Sequence, residues 1–223
     1  MSFGNKLSPL TGDDIDLDGL FSDQRLVKQI RFVLEVEKLK NILRMTPLLN
    51  TARRENDAEH TWELTLMAVV FAEHADEPFD LCRTIKMLII HDIVEIDAGD
   101  TFIYDSAALQ DQEIREKAAA DRIFGLLPPD QAHELRELWD EFEACITPEA
   151  RYARAIDRFQ PLLHNFFTSG GTWHLAGATK RDVLDRKSLI GSSSTRLWNA
   201  AQCFINESVL RGFLTEDVNK GSK

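Results

Sequence analysis

Between Ser22 and Leu210 the apolar residues recur at three- and four-residue steps and nowhere alternate convincingly, so this chain is predicted to fold as packed helices. Leu26, Ile30 and Val33 open the pattern, and Leu39, Ile42 and Leu43 extend it until Thr46-Pro47 stops it. A second helix starts at Asn56 or Asp57, either a suitable cap, with Trp62, Leu66, Val69 and Val70 as its expected buried stripe. Pro78 is expected to open a third helix, and Leu81, Ile85, Leu88 and Ile89 carry it to His91 and Asp92. After an Asp-rich loop over 97–110, helices are expected over 111–124 and 132–144, the second with Leu135, Leu138, Trp139 and Phe142 on its apolar side. Thr147-Pro148-Glu149 caps the helix that carries Asp157, and a last helix covers 195–210. No repeat, low-complexity tract, linker or Gly-rich phosphate loop stands out. The reading is all-α: an irregular arm over 1–20, one domain over 21–215 and a tail over 216–223.

Charge and cysteine usage narrow the partners. With 26 basic against 37 acidic residues, a net of −11, the surface repels nucleic acid and anionic membranes, so neither is an expected partner. A small anionic substrate then needs local basic residues. Cys82, Cys145 and Cys203 lie far apart with no CxxC pair, and Cys82 and Cys203 fall in apolar-periodic stretches, where buried reduced thiols are expected. No charged n-region with an apolar h-region opens the sequence, and no apolar run approaches membrane-spanning length. Those features fit a reducing cytoplasm.

The residues able to do chemistry are spread over three helices. Asp92 lies three and four residues beyond Ile89 and Leu88, on the inward face, where a carboxylate must be paired, hydrogen-bonded or bound to a metal. His91 precedes it. Adjacent helical residues diverge by about 100°, so the two can serve one metal only at a helix end or a distortion. Each residue alone has an ordinary reading: Asp92 beside an Arg, His91 as a satisfied core histidine, His60 as a cap or surface residue, Asp157 paired with Arg154 or Arg158, Glu95 at a solvated helix end. Together, two imidazoles and two carboxylates make a mixed N/O set suited to Mn, Co, Fe, Ni or Zn, with positions left for water and substrate.

Three stretches, Arg53-x-Glu55-Asn56-x-x-Glu59-His60, His91-Asp92-x-x-Glu95-x-x-x-Gly99-Asp100, and Asp157 within Ala155-Ile156-Asp157-Arg158, resemble the motifs of the HD superfamily of metal-dependent phosphohydrolases. Within it the chain is most similar to the single-domain 5'-deoxynucleotidases. The resemblance runs from about Arg44 to Asp157. It implies the helical HD-domain fold and one divalent metal (Mn, Co, Fe, Ni, Zn or Mg) held by His60, His91, Asp92 and Asp157. It also implies Glu95 and Asp100 as the acids that organise the attacking water and substrate. Arg44-Met45-Thr46-Pro47 aligns with an Arg-Trp-Pro-type stretch, which implies that Arg44 contacts substrate phosphate, a task suited to a guanidinium. Met45 departs from that pattern, and the aromatic it replaces helps recognise the deoxynucleoside. Arg53 is a second candidate anion contact. His164, seven residues after Asp157 on the same helical face, is either near the substrate or a hydrogen-bonded structural histidine.

The expected activity is release of phosphate from 5'-(deoxy)nucleoside monophosphates by metal-activated water. The alternatives are hydrolysis of another small phosphate ester and a catalytically silent, nucleotide-binding regulatory HD module. Two-metal HD proteins use extra histidines between the HD pair and the last Asp. Here only His133 lies in that interval, so one metal is expected. Members of the family commonly dimerise, which makes a homodimer through the arm or the last helix an implied partner.

Overall fold

Local capping chemistry starts many of the helices in the computed structural model, which describes residues 15–50, 53–105 and 107–216. Most of the expected arm, residues 1–14, and all of the tail beyond 216 lie outside the described residues. A single helical turn, α1 (Leu17–Leu20), already buries Leu17, and α2 (Gln24–Val36) follows from the Asp23 cap. α3 (Asp57–Val70) opens with a capping box: Asn56 Oδ1 accepts from the Glu59 amide at 3.0 Å, and the Glu59 carboxylate accepts from the Asn56 amide at 3.1 Å. α4 (Leu81–Ile90) starts from the Asp80 side chain rather than from Pro78, because Asp80 accepts the Arg83 amide and so fixes the first turn. α5 (Glu95–Ala98) is one turn, ended by Gly99 at φ 75°. α6 (Gln112–Phe124) and α7 (Pro129–Ala144) form the next pair, with Pro129 opening α7 three residues earlier than expected. α8 (Pro148–Phe167) has the expected Thr147 cap, and α9 (Gly171–Ala176), α10 (Lys180–Lys187) and α11 (Thr195–Leu210) complete the chain.

The sequence pattern predicted no strand, yet two short ones form. β1 (Leu43–Pro47) and β2 (Arg54–Asn56) pair antiparallel, with Leu43 opposite Asn56, Pro47 opposite Arg54 and an irregularity between. Strands of five and three residues are too short to show alternation, and Ile42 and Leu43 read as more helix. The helix in fact ends at Val36 and relaxes into a 3-10 stretch over Glu37–Asn41. β2 runs straight into α3, since Asn56 ends the strand and caps the helix.

α8 is the axis of the packing. It lies against α3, α4, α7 and α11, and Tyr152, Ala153, Ala155, Ile156 and Leu162 on it are wholly buried. Leu64, Met87, Leu88, Ile123, Leu138 and Phe142 close round it. Burying side chains of this size stabilises by roughly 1.5–3 kcal/mol each before conformational entropy is counted. Tyr152 Oη donates to the Ala68 carbonyl at 3.1 Å, so the α3–α8 contact carries a polar pin as well.

The phase of α3 differs from expectation. Trp62, Leu66, Val69 and Val70 are exposed, Trp62 at 67%. The buried face is Asp57, His60, Thr61, Leu64, Met67 and Ala68. Polar residues hold the inward positions at the helix start, which displaces the largest apolar side chains outward. Ile89 is likewise exposed, whereas Ile90 is buried. Cys82 and Cys203 are exposed rather than buried, each on the outward side of its helix.

Candidate active site

Burial of Met87, Leu88 and Ile90 presses α4 onto the core, and the helix then tightens into a 3-10 turn over His91–Val94. That change of pitch supplies the distortion the sequence demanded: consecutive His91 and Asp92 are both buried, at 4% and 8% exposure. His91 Nδ1 lies 2.8 Å from the Leu88 carbonyl, to which it can only donate. Its Nε2 sits 3.0 Å from Asp92 Oδ1, and Asp92, against the effect of burial, raises the His91 pKa above the ordinary imidazole value.

His60 comes from the first turn of α3. Its Nε2 is 3.3 Å from Asp157 Oδ1 and 3.9 Å from Asp92 Oδ2, while Nδ1 is 3.6 Å from Glu55 Oε2. Burial, then the Arg44 charge, pushes its pKa down to about 4, so the ring is neutral near pH 7. Asp92 is held at about 2 although burial opposes it, chiefly by His91 and then Arg44. Asp157, also against its burial, is kept well below the carboxylate range by its His60 hydrogen bond and by Arg158. Ligand atoms of His60, His91 and Asp157 all lie within 4.8 Å of one another, and Asp92 reaches both imidazoles. Ring nitrogens and carboxylate oxygens converge here at 3.0 to 3.9 Å, with His91 Nε2 lacking a well-formed hydrogen bond. That arrangement fits a divalent cation: two imidazoles and two ionised carboxylates, one ring oriented by a backbone carbonyl.

A second acid group adjoins the first. Asp57, Glu95 and Asp100 also bring ligand-type atoms within 4.8 Å. Burial, then the nearby Asp92, lifts Asp57 to about 7, and Glu95 is raised well above the usual range by burial, Asp92 and Asp57. Arg44, only 14% exposed, stands in the middle. Its Nη1 is 3.0 Å from Asp92, 3.4 Å from Asp57 and 3.7 Å from Asp100, and its Nε is 3.6 Å from Glu55. One guanidinium thus serves four carboxylates.

Two clefts open from this centre. One, with a cavity volume of about 90 Å³, runs past Arg44, Met45, Tyr104, Asp157, Arg158 and Lys187. The other, of about 100 Å³, is lined by His91, Asp92, Glu95, Glu116 and Asp157 among others. They share Arg44, Asp100, Thr101, Asp157 and Arg158. A ligand in the first cleft therefore reaches the His–Asp cluster edge-on.

Residues 36–198 match the family model described as HD domain. The chain belongs to the HD domain family. Human 5'-deoxynucleotidase HDDC2 is 28% identical to this HD protein over 144 residues, which is 64% of this chain and 69% of the human one. The mouse protein of the same name is 30% identical over 135 residues, 60% of this chain and 66% of its own length. Among solved structures, a predicted metal-dependent phosphohydrolase from Magnetospirillum magnetotacticum MS-1 is similar with 53% identity and a TM-score of 0.83, covering 87% of this chain and 97% of that one. A Pyrococcus horikoshii OT3 protein, 20% identical with a TM-score of 0.58 over 78% of this chain and 99% of its own, shares the fold. No helix among the described residues of this HD domain is long and apolar enough to cross a membrane.

The HD domain brings His60, His91, Asp92, Asp157, Glu95, Asp100 and Arg44 together, and Met45 lines the first cleft with its Sδ 3.1 Å from Arg54 Nη1. Of the two remaining candidates, Arg53 lies away from the cleft, and His164 takes the structural alternative of its expectation. Arg53 points away and pairs with Glu59 at 2.7 Å on the surface, because the capping box draws Glu59 to that side of the strand. His164 is buried but lies behind His60: its Nε2 is 3.0 Å from Glu63, its Nδ1 3.2 Å from the Pro47 carbonyl, and Gln160 bonds both Glu55 and Glu63. The axial distance from Asp157 is not the cause, since Asn165, one residue further on, lines the first cleft; His164 is turned instead toward Glu63 and the hairpin. Its role is to tie the hairpin to α3 and α8. Sequence reasoning missed Asp57, Glu116, Arg158 and Lys187 as site residues. Asp57 was detectable, since it stands three residues before His60 on one helix face; Lys187 carries no local signal. Asp97 is exposed and pairs with Arg122.

Proposed function

We propose that this protein is a metal-dependent phosphomonoesterase acting on 5'-(deoxy)nucleoside monophosphates, with residues 21–215 as its catalytic unit. The observation that carries the reading is the convergence of His60, His91, Asp92 and Asp157, with Asp157 also lining a cleft that holds Arg44, Arg158 and Lys187. The HD family match and the names of the human and mouse relatives support the reaction class.

His60 Nε2, His91 Nε2, Asp92 and Asp157 would hold the cation. When bound, it would polarise the phosphoryl oxygen, acidify the attacking water and offset the carboxylate field that keeps Glu95 protonated. Glu95, one turn past Asp92, then orients that water and takes its proton. Asp100 sits where it can position the water or the sugar. Arg44 screens the acids from the incoming dianion, and so lowers the barrier to charge accumulating at the phosphoryl group. Glu55, 3.6 Å from His60 Nδ1, favours the tautomer that leaves Nε2 bare.

The test is a phosphate-release screen with Mn, Co, Ni, Zn and Mg over nucleoside monophosphates, sugar phosphates and cyclic dinucleotides. Turnover of nucleoside monophosphates is expected. Turnover confined to another phosphate ester would keep the chemistry and discard the nucleotide; binding without turnover under every metal would point to a regulatory module.

A further inference from the structure

Three cations line the cleft beside Asp157, and two of them have partners. Arg44 is divided among Asp92, Asp57, Asp100 and Glu55, and it cannot turn to a ligand without stranding buried carboxylates. Arg158 Nε lies 3.9 Å from Asp157. Lys187 differs. It is the last residue of α10, it is 4% exposed, and it lines the cleft, yet its ammonium group forms no hydrogen bond or ion pair among the described residues.

An unpaired buried ammonium is among the most unfavourable groups a folded chain can carry, and Met or Leu would pack there without that penalty. Two more donors in the same cleft are also left over. Tyr104 Oη and Trp173 Nε1 are buried without a well-formed hydrogen bond. The Trp173 indole opposes the rise that burial imposes on the Tyr104 pKa, so the two groups are neighbours. Arg186, next to Lys187, packs its guanidinium 4.6 Å from the Tyr104 ring centre and donates to the Ile103 carbonyl, so the loop bearing Tyr104 is fixed beside Lys187. A wall of unsatisfied donors, one of them charged, is the complement of an oxyanion with several acceptor oxygens.

We infer that Lys187 is a cation that binds the phosphate of the substrate, with the Tyr104 hydroxyl as a second donor. This rests on the phosphohydrolase reading for what the phosphate belongs to, though not for anion binding itself. Burial, then the Arg158 charge, depresses the Lys187 pKa to about 7, although Asp157 opposes the shift.

The experiment is calorimetric titration of metal-loaded full-length protein with inorganic phosphate and, separately, with deoxyadenosine. Lys187→Gln should weaken phosphate binding by about tenfold or more, the range of a charge-assisted hydrogen bond. It should leave metal content and deoxyadenosine binding unchanged. Equal phosphate affinity in wild type and Lys187→Gln overturns the inference, and so does a wild type that binds no phosphate. Should the variant fail to fold, amine acylation of the wild type, read at Lys187 by mass spectrometry, replaces it: saturating phosphate should slow modification at Lys187, and an unchanged rate overturns the inference. Phosphate binding that depends on Lys187 in a protein that hydrolyses no phosphomonoester removes the hydrolase reading alone. Turnover with undiminished phosphate affinity in the variant removes only the role of Lys187.

Discussion

His91 Nδ1 and the carbonyl oxygen of Leu88 lie 2.8 Å apart, so the backbone of the preceding turn decides which nitrogen of the imidazole can take a cation. The ring is thereby committed to ligation through Nε2 before any cation arrives. Purified protein should hold close to one divalent transition metal per chain, and His91→Ala and Asp92→Ala should each lose it. Elemental analysis checks this. Two metals per chain would contradict a mononuclear centre, and unchanged content in both variants would contradict the ligand set.

Glu95 separates chemistry from metal binding. Glu95→Ala should keep the metal and lose turnover by about a hundred- to ten-thousand-fold, the usual contribution of a general base. A variant nearly as active as the wild type would assign the water to another acid, with Asp100 the first to examine.

The same residue predicts a pH effect on stability. The Glu95 carboxyl is raised well above its ordinary value, so the folded protein holds a proton that the unfolded chain has already released. Its contribution to stability is complete below the ordinary carboxylate range and is lost as pH rises through the folded pKa. Glu95→Gln has no such proton to lose. In chelator-treated protein the Tm of Glu95→Gln minus that of wild type should therefore grow between about pH 5 and pH 8. A constant difference would mean that Glu95 is ionised in the folded state.

Met45 bears on sugar selectivity. A rigid indole beside the cleft can exclude a 2'-hydroxyl by shape, whereas an unbranched thioether adapts to what fills the space. Ribo- and deoxyribonucleoside monophosphates should differ by less than about tenfold in kcat/KM, roughly 1.4 kcal/mol in transition-state binding. Met45→Trp should raise the deoxy preference. A strong deoxy preference in the wild type would place the excluding wall elsewhere, with Thr46 the nearest buried candidate.

The phase of α3 can be checked without any substrate. Leu64 is wholly buried and Leu66 is 48% exposed. Leu64→Ala should destabilise by about 2–5 kcal/mol, and Leu66→Ala should change stability by no more than about 0.5 kcal/mol. Denaturant unfolding distinguishes them, and comparable losses would restore the phase expected from the sequence.

What could be read in the sequence was what depends on neighbours in the chain. The Asn56 and Thr147 caps and the distortion that His91-Asp92 required were legible because capping and helical pitch are local. The HD motifs placed seven residues that do converge. What failed depended on distant partners. The hairpin exists because Leu43 finds Asn56, and α3 turns its apolar side chains outward because Asp57 and His60 are needed inside. Arg53 is held at the surface by Glu59, and Glu63 decides between the two readings left open for His164. Lys187, 30 positions beyond Asp157, is brought to the cleft only by the way α10 folds back.

Because Asn56 closes a strand and caps a helix at once, the stretch 56–60 has no slack. One residue inserted there would swing His60 by about 100° about the α3 axis, away from His91 and Asp157, while leaving the strand pairing intact. Length variation among proteins built this way should therefore fall in their connecting loops and avoid this five-residue joint. An engineered single-residue insertion between Asn56 and His60 should give a folded protein that no longer takes up metal.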